Sequence, residues 1–221
     1  MARGGFITFE GGEGAGKSTQ VRALRSRLQA AGVEVLATRE PGGSPYAEKI
    51  REAILSGSVA RFGPAAEAVM FSAARSDHLE TLIRPALSRG AFVICDRFID
   101  STRVYQGRLG QVDATLVAAL ERIVVGAERP DLTVVLDIAP ELGLARAAAR
   151  RRPGERPDRF EREGVAYHRQ LRDAFLDLAA AEPVRCVVID ASLTSDVVAR
   201  AIWTAAMQRL PALSAGLEPK A

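Results

Sequence analysis

Asparagine is absent from the 221-residue chain, and lysine supplies only three of its 30 basic residues. The first absence removes the Asn-Lys-x-Asp loop with which GTP-hydrolysing switches read guanine. The second, with arginines spread along the whole chain, makes the net charge of +3 a compositional bias toward Arg and Ala. That is not the clustered footprint of a nucleic-acid-binding protein, and no nucleic-acid partner is expected. Only two cysteines occur, Cys95 and Cys186, each in an apolar segment with no neighbour at metal-ligand spacing. They read as buried small hydrophobes, a usage that fits the cytoplasm, where disulfides are rare. No run approaches the roughly 20 apolar residues of a membrane span. Met1-Ala2-Arg3 passes straight into a strand-like run, so no secretory signal is expected either.

Short apolar runs alternate with amphipathic stretches. Strands are expected at Phe6–Phe9, Val33–Ala37, Phe92–Cys95, Thr133–Leu136 and Val187–Ile189. Helical patterns run from Ser18 to about Ala31, Pro45 to Leu55, Pro64 to about Ser88 with a kink near Pro85, and Ser195 to Arg209. Others start near Ile99, Asp113, Pro140 and Glu163. Five nearly all-apolar strands separated by helices predict an α/β fold, a doubly wound five-stranded parallel sheet with helices on both faces. Ligands then belong at the carboxyl ends of the strands. A single domain over residues 1–211 is expected, with a frayed tail over 212–221.

Gly11-Gly12-Glu13-Gly14-Ala15-Gly16-Lys17-Ser18, followed by Thr19, matches G-x-x-x-x-G-K-[ST] directly after a strand and opening a helix. Glycines let the backbone wrap a phosphate with inward N–H groups, and the helix N-terminus adds partial positive charge. Lys17 is expected at the β- and γ-phosphates of ATP, and the Ser18 hydroxyl on Mg²⁺. Asp96, closing the third strand, fits the acidic partner of that metal, and Arg97 beside it is placed to bridge donor and acceptor phosphates.

Switch GTPases are excluded by the missing asparagine, and motor or transport ATPases by lack of room for their partner domains. A kinase must keep water from ATP, and a mobile arginine-rich lid does so while supplying charge to the transferring group. The segment from Arg150 to Arg159 has that composition, with Arg150, Arg151, Arg152 and Arg156 as the candidates.

The ordered set of motifs is more specific than any one of them. Phe9-Glu10-Gly11 enters the P-loop and Thr38-Arg39-Glu40-Pro41-Gly42-Gly43 follows the second strand. Phe71-Ser72-Ala73-Ala74-Arg75 lies on the long helix, then come Asp96-Arg97-Phe98, Ser101-Thr102 and Tyr105-Gln106-Gly107. Arg129-Pro130-Asp131-Leu132 and Asp158-Arg159-Phe160-Glu161 complete it. From Phe6 to Asp190 the chain resembles thymidylate kinases, a P-loop nucleoside monophosphate kinase family. The resemblance implies Mg-ATP-dependent phosphorylation of dTMP to dTDP in dTTP synthesis, and a homodimer. It implies that Phe71 stacks on thymine, Arg75 reads its carbonyl edge, Thr102 touches the pyrimidine, and Tyr105 crowds the sugar C2′. It sets Gln106 beside the base, Arg39 and Arg97 on the acceptor phosphate, and Glu40 on the metal or its shell. Glu13, a carboxylate among phosphate-binding amides, is assigned the 3′-hydroxyl of dTMP. Because Gly14 follows it instead of a basic residue, the catalytic arginine is expected from the lid, as in the bacterial branch. The alternative is a kinase of the same fold for another nucleoside monophosphate or a deoxynucleoside, against which Phe71, Arg75 and Tyr105 argue.

Overall fold

The computed structural model describes residues 3–151, 159–210 and 213. The expected lid residues Arg152 and Arg156, and nearly all of the expected tail, lie outside the described residues.

Five parallel strands, β1 (Phe6–Gly11), β2 (Val35–Arg39), β3 (Phe92–Asp96), β4 (Leu132–Asp137) and β5 (Cys186–Asp190), form one sheet in the order β2-β3-β1-β4-β5. All six β1 residues are buried because helices cover both faces of this central strand. The strand alternation divides the core. Ile7 and Phe9 join Ile94, Val134 and Leu136 on the face covered by α1 (Lys17–Ala30) and α9 (Ser195–Arg209). Phe6 packs with Val93, Cys95 and Phe98 on the opposite face.

That second face carries α2 (Pro45–Leu55), α3 (Gly63–His78), α4 (Arg84–Ser88), α5 (Ile99–Thr102), α6 (Ala114–Val124) and α8 (Val165–Ala181), and α7 (Pro140–Arg150) packs against α8 and the loop after β1. Asp113 caps α6, accepting from Thr115 N at 2.7 Å and Leu116 N at 3.3 Å. Among the described residues, no helix is long and apolar enough to cross a membrane.

Two expectations shift for identifiable reasons. β2 starts at Val35, not Val33, because Val33 is spent on capping α1. Its N–H donates to Leu28 O at 3.0 Å while Gly32 N donates to Gln29 O, the pattern that closes a helix through a left-handed glycine. The long helix expected from Pro64 to Ser88 is broken by a π-helical turn over Leu79–Ile83, just ahead of Pro85. Proline cannot donate to the carbonyl four residues back, so the ladder widens there before resuming as α4. A second π-helical stretch, Arg103–Leu109, extends α5 and carries Tyr105 and Gln106.

Candidate active site

The carboxyl ends of β1, β2 and β3 open into one cavity of about 250 Å³. Fifteen of the residues expected in the site line it: Glu13, Gly14, Gly16, Lys17, Ser18, Arg39, Glu40, Phe71, Arg75, Asp96, Arg97, Thr102, Tyr105, Gln106 and Arg150. The others among the described residues sit around it. Gly11 and Gly12 accept from the Lys17 ammonium, Ala15 is buried in the core, and Thr19 faces Arg22 along α1. Arg151 turns to Glu161 at 2.9 Å and does not line the cavity.

On one side stands the phosphate loop. Gly16 has no side chain to cap α1, so first-turn N–H groups remain for an anion. The Lys17 ammonium spans the loop to Gly11 O at 3.0 Å and Gly12 O at 2.8 Å. Burial, together with the Arg97 charge, pulls its pKa from 10.5 down to about 8, against the pull of Glu13, Asp96 and Glu10. Gly14 holds φ at 68°, and a Cβ there would lie 1.8 Å from the carbonyl oxygen of Gly143 on α7. The loop and α7 therefore meet backbone to backbone, and no basic side chain fits at position 14.

Ser18 donates to Asp96 Oδ2 at 2.5 Å. A hydroxyl and a carboxylate at the loop's mouth are hard oxygen donors suited to Mg²⁺, which takes one or two protein oxygens and completes its shell from phosphates and water. Among the described residues, no group of three or more acidic, His or Cys side chains would hold a metal unaided.

Arg97 links the two sides. Its backbone holds the left-handed φ of 67°, a strained state for a residue with a side chain. Bonds from its N–H to Phe9 O at 2.9 Å and from Cys95 Sγ to its carbonyl at 3.0 Å maintain it. The guanidinium reaches Glu13 Oε1 at 2.6 Å, Gly11 O at 3.2 Å and Ser101 Oγ at 3.2 Å. The carboxylate in the phosphate loop is thus paired. Burial alone would raise Glu13, but Arg97, Lys17 and His168 outweigh it and hold its pKa below the usual carboxylate value.

Glu10 anchors this corner without lining the cavity. Its buried carboxylate accepts from Phe98 N at 2.8 Å, Ser101 N at 3.2 Å and Ser101 Oγ at 2.6 Å. Burial, reinforced by Asp100, pushes its pKa up to about 7 despite Arg97 and these hydrogen bonds.

The opposite wall is built on α3 and α5. Phe71, Arg75 and His78 fall at i, i+4 and i+7, one stripe of α3. Phe71 borders the cavity, half-buried. Arg75 is buried, with Nε donating to Glu40 Oε2 at 2.8 Å and Nη2 to Phe98 O and Thr102 Oγ1, both at 3.1 Å. Glu40's other oxygen accepts from His78 Nδ1 at 3.1 Å. Both its oxygens are thus engaged, one by Arg75 and one by His78. Tyr105, buried, points its hydroxyl at Glu13 Oε1, 3.4 Å away, and its ring meets Phe160 edge-on. Gln106 Nε2 lies 3.5 Å from Glu67, which is also ion-paired with Arg159. Arg39 is more exposed, its guanidinium held by Glu48 at 2.9 Å.

Sequence reasoning passed over Glu10, Arg51, His78 and Phe160 as site residues. A carboxylate inside an apolar strand marked Glu10, and helical spacing from Arg75 marked His78. Arg51 and Phe160 reach the cavity wall only through the fold.

A family model described as thymidylate kinase matches residues 9–202. A thymidylate kinase of Nitrobacter winogradskyi is 57% identical over 219 residues, covering 99% of this chain and 94% of that relative. One from Rhodopseudomonas palustris is 58% identical over 209 residues, covering 94% and 90%. The crystal structure of thymidylate kinase from Ehrlichia chaffeensis superposes with a TM-score of 0.74 at 30% identity, over 92% of this chain and 98% of that one.

Proposed function

The chain belongs to the thymidylate kinase family, and from that premise we propose how its own residues carry the reaction. The enzyme transfers the γ-phosphoryl group of ATP to dTMP, giving ADP and dTDP for dTTP synthesis. The observation that supports the residue assignment is one cavity bounded on one side by Lys17 and Ser18 and on the other by Phe71, Arg75 and Thr102. An acceptor phosphate bound between them would face the γ-phosphate held by the loop.

The transfer needs no covalent enzyme intermediate. An oxygen of the dTMP phosphate bonds to the γ-phosphorus as the bond to the ADP oxygen breaks. Lys17, Arg97 and the lid arginines stabilise charge on the equatorial oxygens. Arg39 and Arg97 hold the acceptor phosphate. Glu13, kept ionised by Arg97, accepts from the 3′-hydroxyl, and Tyr105 beneath it closes the space a 2′-hydroxyl would need. Phe71 stacks on the base. Thr102 Oγ1 accepts from Arg75 and so keeps its own hydrogen for the pyrimidine edge, near Gln106. Ser18 and Asp96 would hold Mg²⁺, which supplies charge neutralisation on the ATP phosphates when bound. Arg150, on the cavity wall, is the best placed of the described lid candidates.

We assign the enzyme to the cytoplasm, from its thiol usage, and to a homodimer. Exposed Phe62, Val69 and Ile123, on or beside the packed pair α3 and α6, support a covered surface there; light scattering at a monomer mass would exclude it. A coupled ADP-release assay across dTMP, dUMP, UMP, dGMP and thymidine tests the substrate. dTMP is expected to be fastest and thymidine inert, and faster turnover of UMP or thymidine would overturn the assignment.

A further inference from the structure

We propose that His78, acting through Glu40, sets the direction in which the Arg75 guanidinium donates, and thereby makes the base pocket choose a carbonyl over an amino group. The inference deepens the reading of Arg75 as the contact to the base edge, and rests on it. His78 touches no substrate; it is a positioning residue.

His78 is fully buried, yet both ring nitrogens are engaged: Nδ1 with Glu40 Oε1 at 3.1 Å, Nε2 with Thr38 Oγ1 at 2.7 Å. The Glu40 carboxylate, which also accepts from Arg75 Nε, offers only lone pairs. Nδ1 therefore carries the hydrogen of this contact, whatever the charge of the ring. Thr38, a hydroxyl able to donate or accept, fixes the ring from its other end. Gly43 seals the pair. A Cβ at that position would stand 2.5 Å from both His78 Nε2 and Thr38 Oγ1, at a backbone φ of 90° that only glycine adopts freely. The loop after β2 thus closes backbone-first over the imidazole.

The consequence lies at Arg75. Guanidinium and carboxylate, left to themselves, favour a clasp in which two parallel N–H groups meet two oxygens. Here His78 occupies Oε1, so Glu40 holds Arg75 through one oxygen and one nitrogen, Nε. Nη2 is spent on Phe98 O and Thr102 Oγ1. Among the described residues, Nη1 meets no protein acceptor, and Arg75 lines the cavity. Because the fork is planar and rigid, fixing Nε and Nη2 fixes Nη1 as a donor presented to the ligand. A carbonyl satisfies it, whereas an exocyclic amino group sets donor against donor. Releasing Glu40 from His78 permits the two-oxygen clasp through Nε and Nη2, which draws Nη2 off Phe98 O and Thr102 Oγ1 and tilts the plane that aims Nη1.

The test compares dTMP with dCMP, which differ at that edge by a carbonyl against an amino group. His78→Phe keeps the ring volume and removes both contacts; His78→Asn restores a donor near the Nδ1 position. His78→Phe is expected to shrink the dTMP-over-dCMP ratio of kcat/KM about tenfold, the cost of one misdirected charged hydrogen bond, mainly through dTMP KM with ATP KM unmoved. His78→Asn is expected to recover most of it. An unchanged ratio in His78→Phe, or equal rises in both KM values, overturns the proposal, since a purely structural role moves both substrates alike. Arg75→Ala separates the two readings. If it leaves the ratio intact, Arg75 does not read the base; if it collapses the ratio and His78→Phe does not, the His78 inference alone fails. Should His78→Phe not fold, Thr38→Val, which deletes only the distal hydroxyl, should shrink the ratio about threefold, and no change there counts against the proposal. The unaltered chain offers a direct check, since it has two histidines. Nitrogen NMR, with His168→Gln as the assignment control, should find the His78 hydrogen on Nδ1, and a bare Nδ1 overturns the relay.

Discussion

The donor and acceptor halves of the cavity are built by different means. The donor half is eight consecutive residues, Gly11 to Ser18, whose binding groups are mostly backbone N–H and a single ammonium tied to its own loop. The acceptor half is assembled from the end of β2, one stripe of α3, and the end of α5 with its π-helical extension. Its joints span 35 residues between Arg75 and Glu40 and 27 between Arg75 and Thr102. A local loop carries its geometry in its own dihedral angles. An assembled wall depends on side chains that hold other side chains, so its failures begin at residues that never meet the substrate.

If the two halves are separable, lesions should sort by substrate. Lys17→Ala is expected to lower kcat about 1,000-fold, as loss of a preorganised charge does, leaving dTMP affinity by calorimetry and the thermal midpoint unchanged. An equal loss of dTMP binding would break the comparison, and a fully active variant would sink the mechanism. Replacing Arg150, Arg151, Arg152 and Arg156 together by Ala should lower kcat about 100-fold, with dTMP KM moving far less; unaltered turnover excludes the lid from catalysis. Glu13 is the proposed exception, a residue of the donor loop assigned to the acceptor. Glu13→Gln should raise dTMP KM about tenfold while ATP KM stays within about twofold, and the reverse pattern would return Glu13 to the donor side. The pH profile sharpens the division. In its proposed role Lys17 binds phosphate as the ammonium, and its pKa is depressed to about 8. So kcat/KM for ATP should fall about tenfold per pH unit above 8, because this ratio reports the free enzyme. The dTMP KM should stay level across that range, and a flat ATP profile to pH 10 contradicts the assignment. Phe71→Leu should have the smallest effect, about a fivefold rise in dTMP KM from lost ring stacking; equal changes for both substrates would point to packing alone.

The same division decides what could be read from the sequence. The five strands and the phosphate loop were legible because each is contiguous and its periodicity or glycine spacing lies in one window. Lys17, Ser18 and Asp96 followed from that. The acceptor residues were legible only through resemblance, since nothing local in Phe71 or Thr102 says what they face. Glu40 shows the limit. Resemblance alone set it on the metal or its shell, and nothing local foretold that its oxygens accept from Arg75 and His78, residues brought to it by α3. The π-helical turn before Pro85 was visible only as an expected kink, because proline announces a missing donor without saying how the ladder adjusts.

The contact between Gly14 and Gly143 has a mechanical meaning. With no side chain on either surface, α7 rests on the phosphate loop as a beam rests on a fulcrum, and Arg150 is the far end of that beam. Seven residues of helix make an arm of about 10 Å. A tilt of about five degrees at the pivot therefore carries the arginine roughly 1 Å, a displacement of the size to which phosphoryl-transfer rates respond a hundredfold. Any shift of the loop would therefore reach Arg150 through a contact of backbone on backbone.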